Sequence, residues 1–372
     1  MRIAIDARGV NWYNGTGIGT YTDKILKHMV EEHTENYYHI YWSGDNYNQI
    51  DKSNTKILMT SKKHHKFFED FYIPTNLKKE NIDIYHVPQN GIDISENITC
   101  KKVVTVHDLI PYILPETVGR GYLNKFLKEM PNIIEMSDGI ITVSEYSKND
   151  ILKFFPIDDN KIFVIPLAAD TKYKVMNNIK CREFVSKKYN INKPFILYLG
   201  GFSPRKNVKS LIKAFSKIYR NLTEQYNLVV VGKLCDESDI LKKLCSELNI
   251  NDFVKFVGFV PEDDLPIFYN ACDLFVYPST YEGFGLPPLE AMSCGCAVVS
   301  SNISSIPEVI GDGGMLVDPF DLDSIAKSIQ VLLNNNNLLI EMKTKALKQS
   351  SKFSWKKTAE KTLKAYENIL IM

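Results

Sequence analysis

Short apolar runs alternate along this chain with longer stretches of helical period, the pattern of βαβ units and parallel sheets. In the first half, RIAID, YHIYW, KILMT, DIYHV, KVVTVHD, GIITVS and KIFVIP predict strands, with helices over 19–32, 65–79 and 121–136 between them. A second series, FILYLGG, NLVVVG, VKFVGF, LFVYPS, AVVSS and GMLVDP, is spaced by predicted helices over 207–220, 237–247, 263–271, 286–294, 305–311 and 322–334. Between the two series the period loosens into TKYKVMNNIKCREFVSKKYNINKP, polar and rich in Lys and Asn, which reads as a crossover between domains. The chain closes on FSWKKTAEKTLKAYENILI, an amphipathic helix with Trp355, Leu363, Tyr366 and Ile369 on one face.

The predicted architecture is α/β, with two similar halves, each a doubly wound, Rossmann-like sheet. Ligands of such sheets bind at strand carboxyl ends, so a central cleft between facing halves is the expected site. The expected boundaries are 1–170 for the first domain, 171–192 for a linker, 193–351 for the second domain and 352–372 for a terminal helix. A length of 372 residues agrees with two cores. With 44% hydrophobic and 24% charged residues the chain is ordinary and globular, and its net charge of +1 with no basic arm excludes recruitment of nucleic acid by charge. Seven scattered cysteines make no disulfide framework, and Cys294 and Cys296 lack a second close pair to complete a zinc site. Reduced thiols and a cytoplasmic location are expected. All seven histidines lie at or before His107, so a metal site in the second half could use none of them. MRIAIDARG is a strand-like opening with no signal-peptide pattern, and no apolar run is long enough to span a membrane.

The richest stretch is LFVYPSTYEGFGLPPLEAM, which reads strand, loop, helix. Gly283 and Gly285 permit tight turns and close ligand approach. Pro287 and Pro288 suit a first helical turn, whose N–H groups and dipole attract anions. Glu282 and Glu290 flank that site. Ionised carboxylates only accept hydrogen bonds, so they suit hydroxyls: a ribose diol at Glu290, another sugar at Glu282. Sugar, diphosphate and ribose in a row describe a nucleotide-sugar. The plainer reading gives both acids only an electrostatic role at the helix start. Arg205 and Lys206, in YLGGFSPRKNVKSLIKAF, would stabilise a departing diphosphate, or else form a solvated loop pair. In the first half, Gly15, Gly17 and Gly19 follow the first strand without dinucleotide-fold spacing, and the nearest acid, Asp45, lies too far along for a ribose contact. His107 sits at a strand end beside Asp108, where it would bond a sugar hydroxyl, assist proton movement or serve structure alone; His86 occupies a similar place. Ser305 and Glu308 have capping-box spacing.

Together these stretches resemble the GT-B glycosyltransferases of family GT4, most closely the mannosyltransferase-B-like branch. MRIAIDARG, GTGIGTY, VHDLIPYILPE, GIITVSEYSKNDI, LGGFSPRKNVKSLIKAF, VKFVGFVPEDDLPIFYNACDLFVYPSTYEGFGLPPLEAM and FSWKKTAEKTL fall in family order across essentially the whole chain. The Glu-x₇-Glu element of Glu282 and Glu290 is the most specific mark. The resemblance implies a retaining, metal-independent hexose transfer, with a nucleoside-diphosphate sugar as co-substrate, no further cofactor, and a glycan or lipid-linked acceptor. It implies that Glu282 touches donor-sugar hydroxyls, that the amides of Gly283, Phe284, Gly285 and Leu286 hold sugar and phosphate, and that Glu290 binds ribose. Lys206 and Arg205 would meet the diphosphate, Gly258, Phe259 and Val260 the base, and Gly15 and Gly17 the phosphates from the first domain. His107 would lie on the acceptor side, in the first domain, and the helix beginning at Trp355 would cross back onto that domain. GDP-mannose is the donor the branch suggests. Thr16 departs from the family's paired glycines, and Gly201 and Phe202 stand where many members carry an arginine, which weakens the assignment of Arg205 relative to Lys206. With no second well-placed acid, the departing phosphate itself could take the acceptor's proton.

Two other classes share this architecture. A sugar-nucleotide epimerase needs a donor and no acceptor, and a sugar-nucleotide sensor binds without turnover. The stretch SKKHHKFFEDFYIP (61–74) reads either as an amphipathic helix packed on the first domain or as a contact with anionic lipid.

Overall fold

The structure is a computed structural model and describes residues 1–372. It comprises two compact units, Met1–Leu167 with Ser354–Met372, and Ala168–Phe353.

In the first unit, β1 (Arg2–Asp6), β2 (Tyr37–Trp42), β3 (Thr55–Met59), β4 (Ile84–Val87), β5 (Lys101–Val106), β6 (Gly139–Thr142) and β7 (Ile162–Val164) form one sheet in the order β3-β2-β1-β4-β5-β6-β7. Every pairing is parallel. Successive side chains point to opposite faces, and both faces are covered. Ile3, Ile5, Val103 and Ile141 pack with Leu26 and Met29 on one side. Ala4, Val104, Val106 and Ile140 pack with Phe126, Met130 and Ile133 on the other. The chain winds outward from β1 to β3 and resumes on the other side of β1 with β4, so the winding reverses between β1 and β4.

The second unit repeats the scheme. Strands β8 (Phe195–Leu199), β9 (Asn227–Val231), β10 (Val254–Gly258), β11 (Leu274–Tyr277), β12 (Ala297–Ser301) and β13 (Met315–Val317) are ordered β10-β9-β8-β11-β12-β13, again all parallel. Here the reversal lies between β8 and β11. Loops leaving these two neighbours from their carboxyl ends stand side by side, the place where doubly wound sheets bind ligands.

The helix Trp355–Ile371 belongs to the first unit. Its Tyr366 hydroxyl bonds His86 Nδ1 at 2.7 Å, while His86 Nε2 meets Thr105 Oγ1 at 2.8 Å. His86 is therefore a fully buried pin between helix and sheet. Residues 171–192, expected as a linker, contain the helix Asn178–Tyr189, which is part of the second unit. Only Cys181 and Val185 of that helix are buried, so its periodic signal is faint. Its ends are set by Asn177, whose side chain accepts from the Lys180 amide, and by left-handed Asn190. Helices Glu145–Phe154 and Asn336–Ser350 were likewise absent from the periodicity reading.

Gly139 opens β6 where Ile369 of the terminal helix packs. A β-carbon there would lie 2.2 Å from Ile369 Cδ1, a side chain with no exposure. Gly139→Ala should cost roughly 1–3 kcal/mol by overpacking, and pairing it with Ile369→Ala should cost less than the two single changes added together. Urea midpoints of the four proteins in the cycle measure this; strict additivity would refute the contact.

Candidate functional site

The β8 and β11 loops of the second unit are stitched together before any charged group is considered. After β8, Pro204–Lys206 makes one tight turn, closed by Asn207 in the left-handed region. Asn207 Nδ2 donates to the carbonyls of Pro278 (3.1 Å) and Pro319 (2.7 Å). The Arg205 carbonyl accepts from the Thr280 amide at 2.7 Å and from Ser279 Oγ at 3.1 Å. This stitching delivers Arg205 and Lys206 to Glu282. Oε1 of Glu282 accepts from Ser279 Oγ (2.6 Å), Lys206 Nζ (2.7 Å) and Tyr277 OH (2.9 Å), and Arg205 Nη1 lies 3.0 Å away. Lys206 also donates to the Tyr277 hydroxyl. Oε2 takes none of these donors.

All three charged side chains are largely buried, at 18%, 14% and 12% exposure for Arg205, Lys206 and Glu282. Burial alone would push the Glu282 carboxyl up. Lys206 and Arg205 outweigh it, and with the Ser279 bond they bring it down to about 2. Glu282 is thus ionised at any physiological pH, with Oε1 committed to these neighbours.

The loop that follows is pinned by Ser305. Its hydroxyl donates to the carbonyls of Glu282 (2.8 Å) and Phe284 (2.6 Å), and makes no cap to its own helix. The capping-box reading of Ser305 and Glu308 is corrected accordingly: the hydroxyl is spent on the loop. Gly285 has φ +133° and a β-carbon there would meet Ile306 Cδ1 at 2.9 Å, so this position needs glycine. Phe284 is buried and packs edge-on against Phe353, centroids 6.0 Å apart, which leaves its backbone as the part that can face a ligand. The helix Leu286–Ser293 starts with prolines at its second and third positions. Pro287 and Pro288 carry no N–H, so the helix start offers fewer donors than the expected anion site.

Glu290 makes no bond to Lys206 or Glu282. Its partner is Tyr269, whose hydroxyl donates to Oε2 at 3.0 Å. Burial, only partly offset by Tyr269 and Lys172, pushes this carboxyl up to about 8. The expectation of two ionised acids therefore holds for Glu282, whereas burial favours the protonated form of Glu290. At the end of β10, Gly258 has φ +83°, Phe259 is exposed and Val260 is buried.

In the first unit, His107 follows β5 and is buried. Its Nε2 lies 2.9 Å from the Pro88 carbonyl, which can only accept, so Nε2 carries the hydrogen and Nδ1 is the ring's acceptor. Burial, opposed by that bond, lowers its pKa to about 4. A neutral acceptor suits a sugar hydroxyl better than it suits a general acid. Gly15 is exposed at φ +76°, and Thr16 caps the helix Gly17–Glu32 by accepting from the Gly19 amide, so Gly17 is already helical.

Sequence reasoning missed Tyr277 and Ser279, which look like ordinary strand-end residues in LFVYPST, and a cluster after β1. Arg8 Nη2 and Nε each meet Asp6 at 2.7 Å, Arg8 Nη1 meets Glu69 at 2.9 Å, and Gln89 Nε2 donates to Asp6 at 2.8 Å. Asp6 and Arg8 are 1% exposed. Two charges ending an apolar strand were the available signal. No group of His, Cys, Asp or Glu side chains is clustered so as to hold a metal ion.

Comparison with known proteins follows this geometry. The family model described as glycosyl transferases group 1 matches residues 182–349, and that of Glycosyltransferase Family 4 matches residues 15–173. The chain is 33% identical over 267 residues to O-antigen chain mannosyltransferase B of Escherichia coli, covering 72% of this chain and 70% of that protein. It is 34% identical over 280 residues to the serotype-specific mannosyltransferase WbdA of Escherichia coli, across 74% of this chain and 34% of WbdA, about a third of that relative's length. Among solved structures, Anabaena Alr3699/HepE in complex with UDP and glucose superposes with a TM-score of 0.76 at 18% identity, covering 98% of each chain. Sucrose-phosphate synthase from Thermosynechococcus elongatus gives 0.74 at 18% identity over 99% of this chain and 98% of that one. These likenesses establish the GT-B fold.

The two carboxyls act on stability in opposite pH windows. Glu290, raised from 4.5 to about 8, favours the folded state below pH 4.5 and loses that contribution as pH rises toward 8. Glu282, lowered from 4.5 to about 2, contributes above pH 4.5 and loses it as pH falls toward 2. Glu290→Gln should therefore flatten the decline in unfolding free energy between pH 4.5 and 8 in ligand-free protein. Urea titrations across that range check it; an unchanged slope would refute a raised Glu290.

Proposed function

We propose, from the premise that this chain belongs to the family-4, group-1 glycosyltransferases, that it transfers mannose from GDP-mannose to a glycan or lipid-linked acceptor in surface polysaccharide or glycoconjugate assembly. The hexose is taken from relatives whose names are O-antigen mannosyltransferases, and the base from the same branch. The observation that carries the reading is the convergence of Lys206, Arg205 and Glu282 at the switch between β8 and β11.

In this reading the second unit binds the donor. Lys206 and Arg205 stand ready at the strand ends, and as the glycosidic bond breaks they offset the charge that gathers on the departing diphosphate. Losing one such group would cost roughly 10²–10³ in rate, by analogy with oxyanion donors. Oε2 of Glu282 accepts a hydroxyl of the transferred sugar, Glu290 meets the ribose, the amides of 283–286 hold sugar and phosphate, and 258–260 pass beside the base. Burial holds the Glu290 carboxyl up, so a ribose diol that binds its ionised form releases a proton. The first unit binds the acceptor, with neutral His107 accepting a hydroxyl through Nδ1. The departing phosphate takes the acceptor's proton on the same face, giving retention. The reading also includes a cytoplasmic location and peripheral contact with a membrane, the latter supported by the exposed segment at 61–74.

Glu282→Gln tests the donor role. An amide must turn its oxygen toward Lys206 and Arg205, because its NH₂ cannot face their donors. The NH₂ then takes the place of Oε2, where a sugar hydroxyl needs an acceptor. Loss of a charge-assisted bond of about 1.5–3 kcal/mol predicts a kcat/KM lower by roughly 10- to 150-fold; a change within about threefold would remove Glu282 from the donor site. A panel of nucleotide-sugars in thermal-shift assays should single out GDP-mannose, since ligand at 100 times its Kd adds about 2.7 kcal/mol. Transfer should require an acceptor. Epimerised sugar from donor alone would support an epimerase, and binding without turnover across acceptors would support a sensor.

A further inference from the structure

Residues 62–79 form one unbroken helical run with two unlike faces. Inward, Phe68 and Tyr72 pack with Ile73 and Leu77 on the first unit's core, and Glu69 is buried against Arg8. Outward, Phe67 and Phe71 are 56% and 66% exposed, one turn apart and stacked with centroids 6.5 Å apart. The run widens to a π turn over Phe68–Tyr72, just where Pro74 cannot donate to the Asp70 carbonyl. Asn97 Nδ2 supplies that bond instead, at 3.2 Å. The outward face is therefore fixed by the fold, and the core already has its own aromatics from this segment.

We propose that this face, centred on Phe67 and Phe71, docks the first unit on an anionic lipid surface. The aromatic pair would enter the headgroup region while lysines around it meet lipid phosphates. Lys63 stands one turn before Phe67, Lys62 and Lys66 are exposed beside it, and Lys78 and Lys79 are exposed at the far end of the run. Of the acids nearby, Glu69 is turned inward to Arg8, Asp93 is held by Lys125 at 2.6 Å, and Glu129 is half-buried. Asp70 and Glu96 remain outward with Lys128 across a cavity of about 260 Å³ lined by these residues. Exposed lysines outnumber exposed acids around the aromatic pair. A second copy of the chain is a poorer occupant, because a two-fold contact through this face would set its lysines against one another.

The inference rests on the peripheral membrane contact of the proposed function and is independent of the donor chemistry. The full chain should sediment with phosphatidylcholine vesicles containing phosphatidylglycerol, far less with phosphatidylcholine alone, and less at high salt. Lys63→Glu/Lys66→Glu should weaken binding by more than about fivefold per lysine, since reversal exceeds neutralisation. Phe67→Ser/Phe71→Ser should abolish the salt-resistant part. Both pairs should keep the wild-type thermal shift with a nucleotide-sugar, and Glu282→Gln should sediment like the wild type, so failure of either reading is visible separately. Wild-type sedimentation indifferent to lipid charge overturns the proposal, as does a Phe67→Ser/Phe71→Ser protein that binds unchanged. Equally, a loss of self-association in that variant, seen by sedimentation velocity with no vesicle binding in the wild type, would assign the face to a second copy.

Discussion

One carboxylate oxygen, Oε1 of Glu282, joins the two loops on which the second unit's chemistry rests. Two cations and two hydroxyls converge on it. Without it, Lys206 and Arg205 would be largely buried positive charges near one another, and they would turn toward water. With it, their positions are set by the fold itself. Tyr277 and Ser279 hold the same oxygen from the sheet side. The arrangement makes Oε1 of Glu282 the anchoring atom of both loops.

The two units use one topology in two ways. At the reversal between β8 and β11, the charges are accessible at their edge. At the corresponding reversal between β1 and β4, Asp6, Arg8, Glu69 and Gln89 close on themselves and leave almost nothing exposed. Such a buried network is weak evidence of net stability, but removing one member would strand the others. It occupies the place where the second unit keeps its cations, and it ties the 62–79 run to the first strand.

Much of this was legible in the sequence because it follows from short-range rules. Both sheets came from apolar runs separated by helical period, and the loops carrying Glu282 and Lys206 were found because charges and glycines end those runs. What escaped depends on distance. Tyr277 and Ser279 are ordinary strand-end residues until Glu282 folds back over them. Ser305 has the spacing of a helix cap, yet its hydroxyl goes to the loop 21 to 23 residues earlier. The upward shift of Glu290 comes from burial by segments distant in sequence, which no local pattern encodes. Helix 178–189 was lost because only two of its side chains reach a core. Arg8 and Glu69 are 61 positions apart.

The terminal helix makes the first unit discontinuous in sequence. The second unit is an uninterrupted stretch and completes its core from its own consecutive residues. The first does not, since the pocket around His86 and Gly139 stays unfilled until Tyr366 arrives from 280 positions downstream. Until then an apolar sheet face lies bare to other chains, and loss of the helix Trp355–Ile371 would leave the first unit half-open and protease-sensitive.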